Sequence, residues 1–344
     1  MPLTLRVDGE PWRAHLRTVV QSHPGIVPVA KGNGYGFGIA KLARRADWLG
    51  VDTVAVGMYE EAPQVLPRFA GDVLVMTPWR PESPWPSEAA RRIIHTLGRS
   101  EDLQTLADRH PGSRVVVEGL TTMTRHGLPR QELAAAVSPT RALRVEGVAL
   151  HLPMAGDRLA EAEEWCAKLT SVDLATTTVF VSHLDDTELR ALISRWPSLT
   201  VRPRIGTDLW LGNRGVLHPV ATVLEVHQVR RGQRVGYRQR SVPRDGWLLV
   251  LCGGTAHGIG LEAPTTGVTV RSRGIALAKG GLESAGFALS PFTVDGRRRW
   301  FAEPPQMQVS MVFVPARRAV PAVGDEVPVD VRFTTTTFDT VHIS

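Results

Sequence analysis

The feature that most constrains the fold is a regular alternation of short apolar runs with amphipathic segments up to about residue 213. The apolar runs show no in/out alternation, as expected for strands that are buried on both faces. Eight such units predict an α/β fold, a (β/α)8 TIM-like barrel. The runs are Ile26–Ala30, Thr53–Gly57, Val73–Met76, Ile93–Thr96, Val115–Glu118, Gly147–His151, Val179–His183 and Thr200–Arg204. The helix-like segments include Ile39–Leu49, Ser100–His110, Arg130–Val137, Leu159–Ser171 and Asp186–Trp196.

From about Leu217 the pattern changes to β-rich segments separated by turns that contain Gly and Pro. We therefore predict a barrel over residues 1–217 and a C-terminal antiparallel β domain over residues 218–344. Leu3–Val7 is compatible with a strand in either domain. The predicted strands of the second domain are Val220–Val229, Trp247–Leu251, Val268–Ile275, Gln308–Val314, Val327–Phe333 and Thr337–Ile343.

Composition excludes several classes of protein. A net charge of +6 would suit nucleic-acid binding, but the arginines are scattered and only three tyrosines are present to stack on bases. Two cysteines, Cys166 and Cys252, make neither a disulfide framework nor a metal site. No N-terminal signal and no apolar run long enough for a membrane span are visible. We expect a cytoplasmic protein without nucleic-acid or membrane partners.

Lys31 directly follows the first predicted strand. A lysine at the end of an apolar strand is costly to bury as a cation, so it is neutral, paired or used covalently. The glycines that follow allow a sharp turn and a close approach to a phosphate or a flat ring. The alternatives are a surface lysine before a flexible loop, or a chance match to a dinucleotide loop. The glycines stand at every second position, at Gly32, Gly34, Gly36 and Gly38.

Polar residues recur at the ends of the predicted strands, which is where barrel enzymes place their sites. Polar residues at five converging strand ends are hard to explain by packing alone, so these residues predict a functional site. They are Lys31, Glu118, Arg125 just beyond it, His151, Ser182 with His183, and Arg204.

The stretch Ala30–Gly38 resembles the cofactor-lysine motif of the alanine racemase family. Weaker similarity to the same family continues along nearly the whole chain. The resemblance implies a (β/α)8 barrel with a C-terminal β domain and the cofactor pyridoxal phosphate. In that motif the lysine binds the cofactor covalently and the tyrosine four residues later binds its phosphate. These roles fall on Lys31 and Tyr35.

The segment Arg202–Gly212 resembles the family segment that contacts the cofactor ring and phosphate. The resemblance places Arg204 at the pyridine nitrogen and the amides of Gly206 and Thr207 at the phosphate. Because arginine does not readily give up a proton, the ring nitrogen would stay unprotonated and the cofactor would be a weaker electron sink. The alternative is a surface ion pair of Arg204 with Asp208.

Three further cofactor residues follow from the same resemblance. His151 matches a histidine close to the ring that supports the arginine, although a lone histidine is also compatible with a hydrogen-bonded core residue. Ser182 and His183 occupy the place of an Asn-Ser pair whose serine binds phosphate. Either residue is a candidate for the phosphate contact.

Met123–Gly127 resembles a family segment whose arginine binds the substrate carboxylate or its surroundings, and this role falls on Arg125. Seven residues earlier many family members carry a lysine converted to an anionic carbamate, where this chain has Glu118. A glutamate supplies that negative charge without modification, so we expect Glu118 to act as a fixed anion beside Arg125.

Two positions depart from the family pattern. The tyrosine that serves as the second base, supplied by the partner subunit, is replaced here by Thr255. A threonine hydroxyl is a poor proton donor or acceptor near neutral pH, so Cys252 and His257 are the candidates to replace it. In a second family stretch Met307 remains at the substrate, whereas Gln308 replaces an aspartate.

The resemblance implies a homodimeric, pyridoxal-phosphate-dependent amino-acid racemase that interconverts L- and D-amino acids through Lys31. Two alternatives remain: a non-racemising pyridoxal-phosphate enzyme acting on an amino acid, and a catalytically inactive protein that still binds the cofactor. The missing tyrosine and aspartate favour the last of these. The identity of the amino acid is left open.

Overall fold

A computed structural model describes residues 2–84, 91–261 and 288–344. The chain divides into two compact units. The barrel unit contains Arg13–Gly34 and Gly38–Gly212. The β unit contains Tyr35–Phe37 and Asn213–Ser344 together with the first twelve residues.

The barrel unit is built on eight parallel strands in the order β2-β9-β8-β7-β6-β5-β4-β3. Val29 and Ala55 form a parallel bridge, which returns β2 to β3 and nearly closes the sheet. The predicted TIM-like barrel is therefore confirmed. After β1 (Leu3–Val7) in the β unit, its strands are β2 (Val27–Pro28), β3 (Thr53–Val56), β4 (Asp72–Pro78), β5 (Ile93–Leu97), β6 (Arg114–Gly119), β7 (Arg144–His151), β8 (Thr178–Ser182) and β9 (Thr200–Ile205).

Helices connect most of these strands, and local signals explain several of their starts. Asp185 accepts hydrogen bonds from the amides of Thr187 and Glu188 and forms a capping box, while Asp157 accepts one from Ala160. The helices are α1 (Gly9–Ser22), α2 (Ile39–Trp48), α3 (Ala62–Val65), α4 (Ser100–Arg109), α5 (Val137–Thr140), α6 (Arg158–Thr170), α7 (Asp186–Arg195) and α8 (Thr207–Leu211). The predicted segment Arg130–Val137 is mostly a 3₁₀ helix over Arg130–Ala134.

The barrel interior is filled by small and branched side chains, one or two from most strands. This layer makes the barrel a packed core rather than a pore, so that polar side chains are confined to the strand ends. It contains Val27, Val29, Ala55, Leu74, Ile94, Val116, Ala149 and Phe180.

The end of the barrel where the strands begin, here called the lower end, is held by ion pairs. Arg114 donates to both carboxylate oxygens of Asp72, at 2.5 and 2.6 Å, and to Glu146 at 2.7 Å. Arg202 pairs with Asp52 in the same region. The opposite end, where the strands finish, is here called the upper end and carries the predicted site residues.

The β unit is a sheet in the order β14-β15-β16-β13-β10-β1-β18, with β17 also paired to β10. Among the strands that the structure describes here, the pairs are antiparallel except β1 with β18, so the predicted antiparallel β domain is confirmed and Leu3–Val7 belongs to it. The predicted strand Val268–Ile275 lies outside the described residues. The strands are β10 (Leu217–Val229), β11 (Arg234–Val235), β12 (Arg240–Ser241), β13 (Gly246–Cys252), β14 (Leu289–Val294), β15 (Arg297–Phe301), β16 (Val309–Pro315), β17 (Glu326–Pro328) and β18 (Thr340–Ile343).

In the part of the chain that the structure describes, every helix is too short or too polar to cross a membrane.

Candidate active site

The turn after β2 fixes the backbone of Lys31. Gly34 N donates to Lys31 O at 3.0 Å, and Gly38 N donates to Asn33 O at 3.2 Å. Gly34 has φ of 61°, and a Cβ there would lie 2.5 Å from the amide nitrogen of Ile39. Only glycine fits at this position, because the turn folds back directly against the start of α2.

A buried carboxylate that sequence reasoning missed holds this turn from the neighbouring strand end. Glu61 Oε1 accepts a hydrogen bond from Gly32 N at 2.7 Å, and Oε2 accepts one from Gly57 N at 2.6 Å. A Cβ on Gly57 would lie 3.3 Å from Lys31 Cβ, so the chain after β3 passes close to Lys31. Glu61 therefore fixes the position of the lysine.

Positive charges surround the amine of Lys31. Lys31 keeps exposed surface at the upper end, yet partial burial lowers its pKa, and the charges of Arg125 and Arg204 lower this pKa further. The carboxylate of Glu61 acts in the opposite direction. A lowered amine pKa increases the neutral fraction, which is the form that acts as a nucleophile or a base.

Arg204 is buried rather than paired at the surface with Asp208. Its side chain and that of Glu118 are each 2% exposed, with Nη1 and Glu118 Oε2 at 3.6 Å. Nη2 donates to the carbonyl of Leu150 at 2.9 Å. Arg204 Nε and Glu118 Oε2 have no hydrogen-bond partner among the described residues.

Glu118 thus contacts Arg204, whereas the sequence predicted a position beside Arg125. Burial raises the pKa of Glu118, and the charges of Arg204 and Arg125 work against this rise. Arg125 therefore influences the carboxylate through its charge, and it is Arg204 that shares a buried contact with it.

His151, Ser182 and His183 form a cluster at the ends of β7 and β8. Ser182 Oγ lies 3.2 Å from His151 Nδ1, and the two imidazole rings meet edge to face at 5.0 Å. Burial and the charges of Arg204 and Arg125 lower the pKa of His151 to about 3. Burial and the charge of Lys31 lower the pKa of His183. Neutral rings here add no charge to an already positive site.

The loop that carries Arg125 is anchored to α6. Glu161 accepts hydrogen bonds from the amide of Thr122 at 2.5 Å and from its hydroxyl at 2.7 Å. A cleft of about 750 Å³ lies between this loop and the start of α6, and neither Lys31 nor Arg204 lines it. A Cβ on Gly127 would lie 2.5 Å from Gly119 C, so glycine is required where the loop returns to β6.

The remaining predicted cofactor residues lie in both units. Gly206 and Thr207 come directly after β9, with Thr207 opening α8. Tyr35 is buried, has φ of 54° and belongs to the β unit. Its role in phosphate binding stays a prediction, as do those of Gly206 and Thr207.

In the β unit, the two segments that depart from the family pattern lie side by side. Thr255 N donates to Gln306 O at 2.8 Å, and Ala256 N donates to Met307 O at 3.0 Å. The Met307 side chain is 70% exposed. The sequence resemblance therefore identified two neighbouring segments, although 50 residues of chain separate them.

Asp339, which sequence reasoning also missed, holds both candidate second bases. His257 Nδ1 accepts a hydrogen bond from Gly254 N at 3.2 Å, so the ring proton is on Nε2, which donates to Asp339 at 3.2 Å. Cys252 Sγ lies 3.9 Å from Asp339 Oδ2, and burial and that carboxylate raise the thiol pKa. Both nitrogens of His257 are occupied, and Cys252 is held as a thiol.

Residues 7–192, more than half of the chain, match the model of the family described as alanine racemase, N-terminal domain. The chain belongs to this alanine racemase family. The alanine racemase of Nitratidesulfovibrio vulgaris (strain DSM 19637 / Miyazaki F) is 25% identical over 281 residues, which cover 74% of this chain and 75% of the relative. The alanine racemase family also supplies similar solved structures.

An alanine racemase from Bartonella henselae, with covalently bound pyridoxal phosphate, has 20% identity and a TM-score of 0.71 over the whole of both chains. The alanine racemase from Streptomyces coelicolor A3(2) has 19% identity and a TM-score of 0.68, with 99% of this chain and 97% of that chain covered. These similarities show the fold.

The alanine racemase family implies pyridoxal phosphate, and the residues present fit this cofactor. Arg204 Nε is a buried donor without an acceptor among the described residues, as a pyridine nitrogen would require. The lowered pKa of Lys31 suits an amine that reacts with an aldehyde. The surplus of positive charge at the upper end suits a phosphate.

Proposed function

We propose that this protein is a pyridoxal-phosphate-dependent amino-acid racemase that interconverts L- and D-amino acids. One observation carries the proposal most directly. The amine of Lys31 stands at a strand end of the barrel, with its pKa lowered by partial burial and by the charges of Arg125 and Arg204. A lowered pKa increases the neutral fraction of the amine, which is the form that acts as a nucleophile towards an aldehyde and as a base.

Each remaining residue has a proposed task around this amine. Pyridoxal phosphate, when bound, supplies a ring that withdraws electrons from the substrate Cα. Lys31 moves a proton to or from Cα on one face, and Arg125 binds the substrate carboxylate. Arg204 donates to the ring nitrogen. The proposed phosphate ligands are Tyr35, Ser182 or His183, Gly206 and Thr207, with His151 near the ring and Met307 near the substrate.

Racemisation also requires a proton on the opposite face. The family resemblance supplies that group from the partner subunit, so the proposed assembly is a homodimer. The candidates are His257 and Cys252, while Thr255 stands at the position of the family's tyrosine. The hydrogen bond from Gly254 N to Nδ1 would have to break before His257 served as a base, and Cys252 would have to lose its proton and its contact with Asp339.

These contacts favour a second candidate function, a pyridoxal-phosphate enzyme that handles the proton on one face only. Such an enzyme would still use Lys31, Arg125 and Arg204 in the roles above. It would exchange the Cα proton of one enantiomer without producing the other. The two functions share one cofactor site and differ only on the second face.

Proton–deuterium exchange at Cα separates these candidates. Purified holoprotein is incubated in D₂O with a panel of L- and D-amino acids, and deuterium incorporation and enantiomer ratio are followed by NMR and chiral chromatography. A racemase incorporates deuterium from both enantiomers and converges on a racemic mixture. Exchange from one enantiomer alone supports the second function, and no exchange from either rejects both.

If His257 is the second base, exchange from one enantiomer should be lost in His257→Ala. If Cys252 serves instead, alkylation of the thiol should block the same enantiomer. Fast exchange of both enantiomers in a double variant that lacks both His257 and Cys252 would reject both assignments.

A further inference from the structure

The buried contact between Glu118 and Arg204 has a role beyond supplying charge near Arg125. We propose that Glu118 is a positioning residue for Arg204, whose carboxylate holds the guanidinium so that Nε stays available to an acceptor nitrogen of the cofactor ring. The inference rests on the proposed function, because it needs pyridoxal phosphate at this site.

The donors of Arg204 are divided among different partners. Nη2 donates to Leu150 O at 2.9 Å, and Nη1 faces Glu118 Oε2 at 3.6 Å. Nε is buried without an acceptor among the described residues. A buried donor without a partner is costly, which implies that a ligand supplies the acceptor. One hydrogen-bonded nitrogen and one ion-paired nitrogen on a planar guanidinium give Nε a defined direction.

Topology makes Glu118 suited to this task. Val116 belongs to the layer that fills the barrel, and Glu118, two residues further along β6, shares its face of the strand. In the sheet, β7 and β8 lie between β6 and β9, which carries Arg204. The pair therefore joins β6 and β9, which are not neighbours in the sheet. The guanidinium of Arg204 is thus held by a carboxylate from a different part of the barrel.

Electrostatics requires a counter-charge at this place. Lys31, Arg125 and Arg204 lie close enough that the pKa of Lys31 is lowered by both arginines. Without a buried anion this repulsion would push the guanidinium of Arg204 towards solvent. Glu118 offsets the repulsion from within the barrel, and its Oε2 has no hydrogen-bond partner of its own among the described residues.

The test compares two ligands that differ only at the ring nitrogen. Apoprotein is titrated with pyridoxal phosphate and with its 1-deaza analogue, in which a CH group replaces the nitrogen, and dissociation constants are measured by fluorescence. Wild type should prefer pyridoxal phosphate by about tenfold or more, the effect of a hydrogen bond from a charged donor. Glu118→Gln should lose most of this preference.

Two further variants make the result specific. Glu146→Gln removes a carboxylate from the lower end and should leave both dissociation constants unchanged. If Glu118→Gln does not fold, Glu118→Asp, which keeps the charge on a shorter side chain, should lower the preference at least threefold. An equal loss of affinity for both ligands would show a general structural role and overturn the inference. A preference that is unchanged from wild type would overturn it as well.

Failure of the proposed function gives a different pattern. If wild type binds neither ligand, the cofactor assignment is wrong. If wild type binds both equally, Arg204 does not recognise the ring nitrogen and the inference falls with that role. If wild type discriminates and the Glu118 variant discriminates equally well, the cofactor assignment stands and only the positioning role of Glu118 is rejected.

Discussion

The two ends of the barrel use similar side chains in opposite arrangements. At the lower end Arg114 is matched by two carboxylates, Asp72 and Glu146, at 2.5 to 2.7 Å. At the upper end Arg204 faces one carboxylate, Glu118, at 3.6 Å, and one of its donors is left without a partner among the described residues. At the lower end the positive charge of Arg114 is balanced by carboxylates of the protein. The upper end keeps a surplus of positive charge, which suits an anionic ligand.

The pKa values follow the same division. At the lower end burial alone would lower the pKa of Arg114, but hydrogen bonds to Asp72 and Glu146 outweigh it and raise this pKa. At the upper end the pKa values of Lys31 and His151 are both lowered, by burial first and then by the neighbouring arginines. Charge at the lower end contributes to stability, and charge at the upper end is available for binding and proton transfer.

The largest effect that sharpens this comparison is expected at Lys31. Lys31→Ala should abolish the visible absorbance of the bound cofactor and all Cα exchange, because it removes the amine to which the cofactor is proposed to be attached. The free energy of unfolding of the apoprotein should hardly change, since the amine makes no hydrogen bond or ion pair with the residues that the structure describes. Lys41→Ala, an exposed lysine on α2, is the matched control and should keep both signals. Residual exchange in Lys31→Ala would contradict the assignment.

A substitution at the lower end should lower the free energy of unfolding and leave cofactor binding unchanged. Arg114→Gln removes the cation beside Asp72 and leaves Glu146 with the mostly exposed Arg144, which should lower the free energy of unfolding by about 2–4 kcal/mol. Arg144→Gln removes a mostly exposed partner of Glu146 and should cost about 0.5 kcal/mol or less. Urea unfolding measures both. Cofactor affinity reduced by Arg114→Gln, in protein that is fully folded, would argue against separate roles for the two ends.

Glu61 contributes both to stability and to the pKa of Lys31, so its substitution should have an effect of intermediate size. Glu61→Gln weakens hydrogen bonds to the amides of Gly32 and Gly57 and should cost about 1–2 kcal/mol of unfolding free energy. It also removes the charge that raises the pKa of Lys31, so labelling of that amine should begin at lower pH. Glu60→Gln, the exposed neighbour, should change neither property. An unshifted labelling profile would remove Glu61 from the site.

The smallest effect concerns His151 and pH. Its pKa of about 3 in the folded protein lies below the value of about 6.5 for an unfolded histidine, so between these values only the unfolded state binds the proton. Stability is therefore lost as pH falls below about 6.5, with a slope well below the limiting value of about 1.4 kcal/mol per pH unit because solvent screens this partly exposed ring. His151→Asn should flatten this dependence in urea unfolding between pH 6.5 and 4.5. Identical slopes would contradict the lowered pKa.

Local signals explain why so much of the barrel could be predicted. The strands are apolar and rich in β-branched residues. A capping residue such as Asp185 lies directly before the first residue of its helix and so marks the helix start. Strand-end residues could be proposed for the site because a parallel barrel brings these ends together. Lys31 and Arg204 were found in this way, 173 positions apart in the sequence.

The contacts that tune those residues could not be predicted by the same reasoning. Glu61 reaches the Lys31 turn from 29 residues away, and His257 meets Asp339 across 82 residues. Which carboxylate meets which donor depends on side-chain packing in three dimensions, and no local pattern encodes it. For the same reason Glu118 was predicted beside Arg125, whereas its buried contact is with Arg204.

One measurement tests the central claim most directly, that Lys31 carries the cofactor. Holoprotein is reduced with borohydride and digested, and the pyridoxyl-labelled peptide is sequenced by mass spectrometry. We expect a single labelled peptide, with the modification on Lys31. A label on any other lysine, or no label in protein that has been supplied with pyridoxal phosphate, would contradict the account.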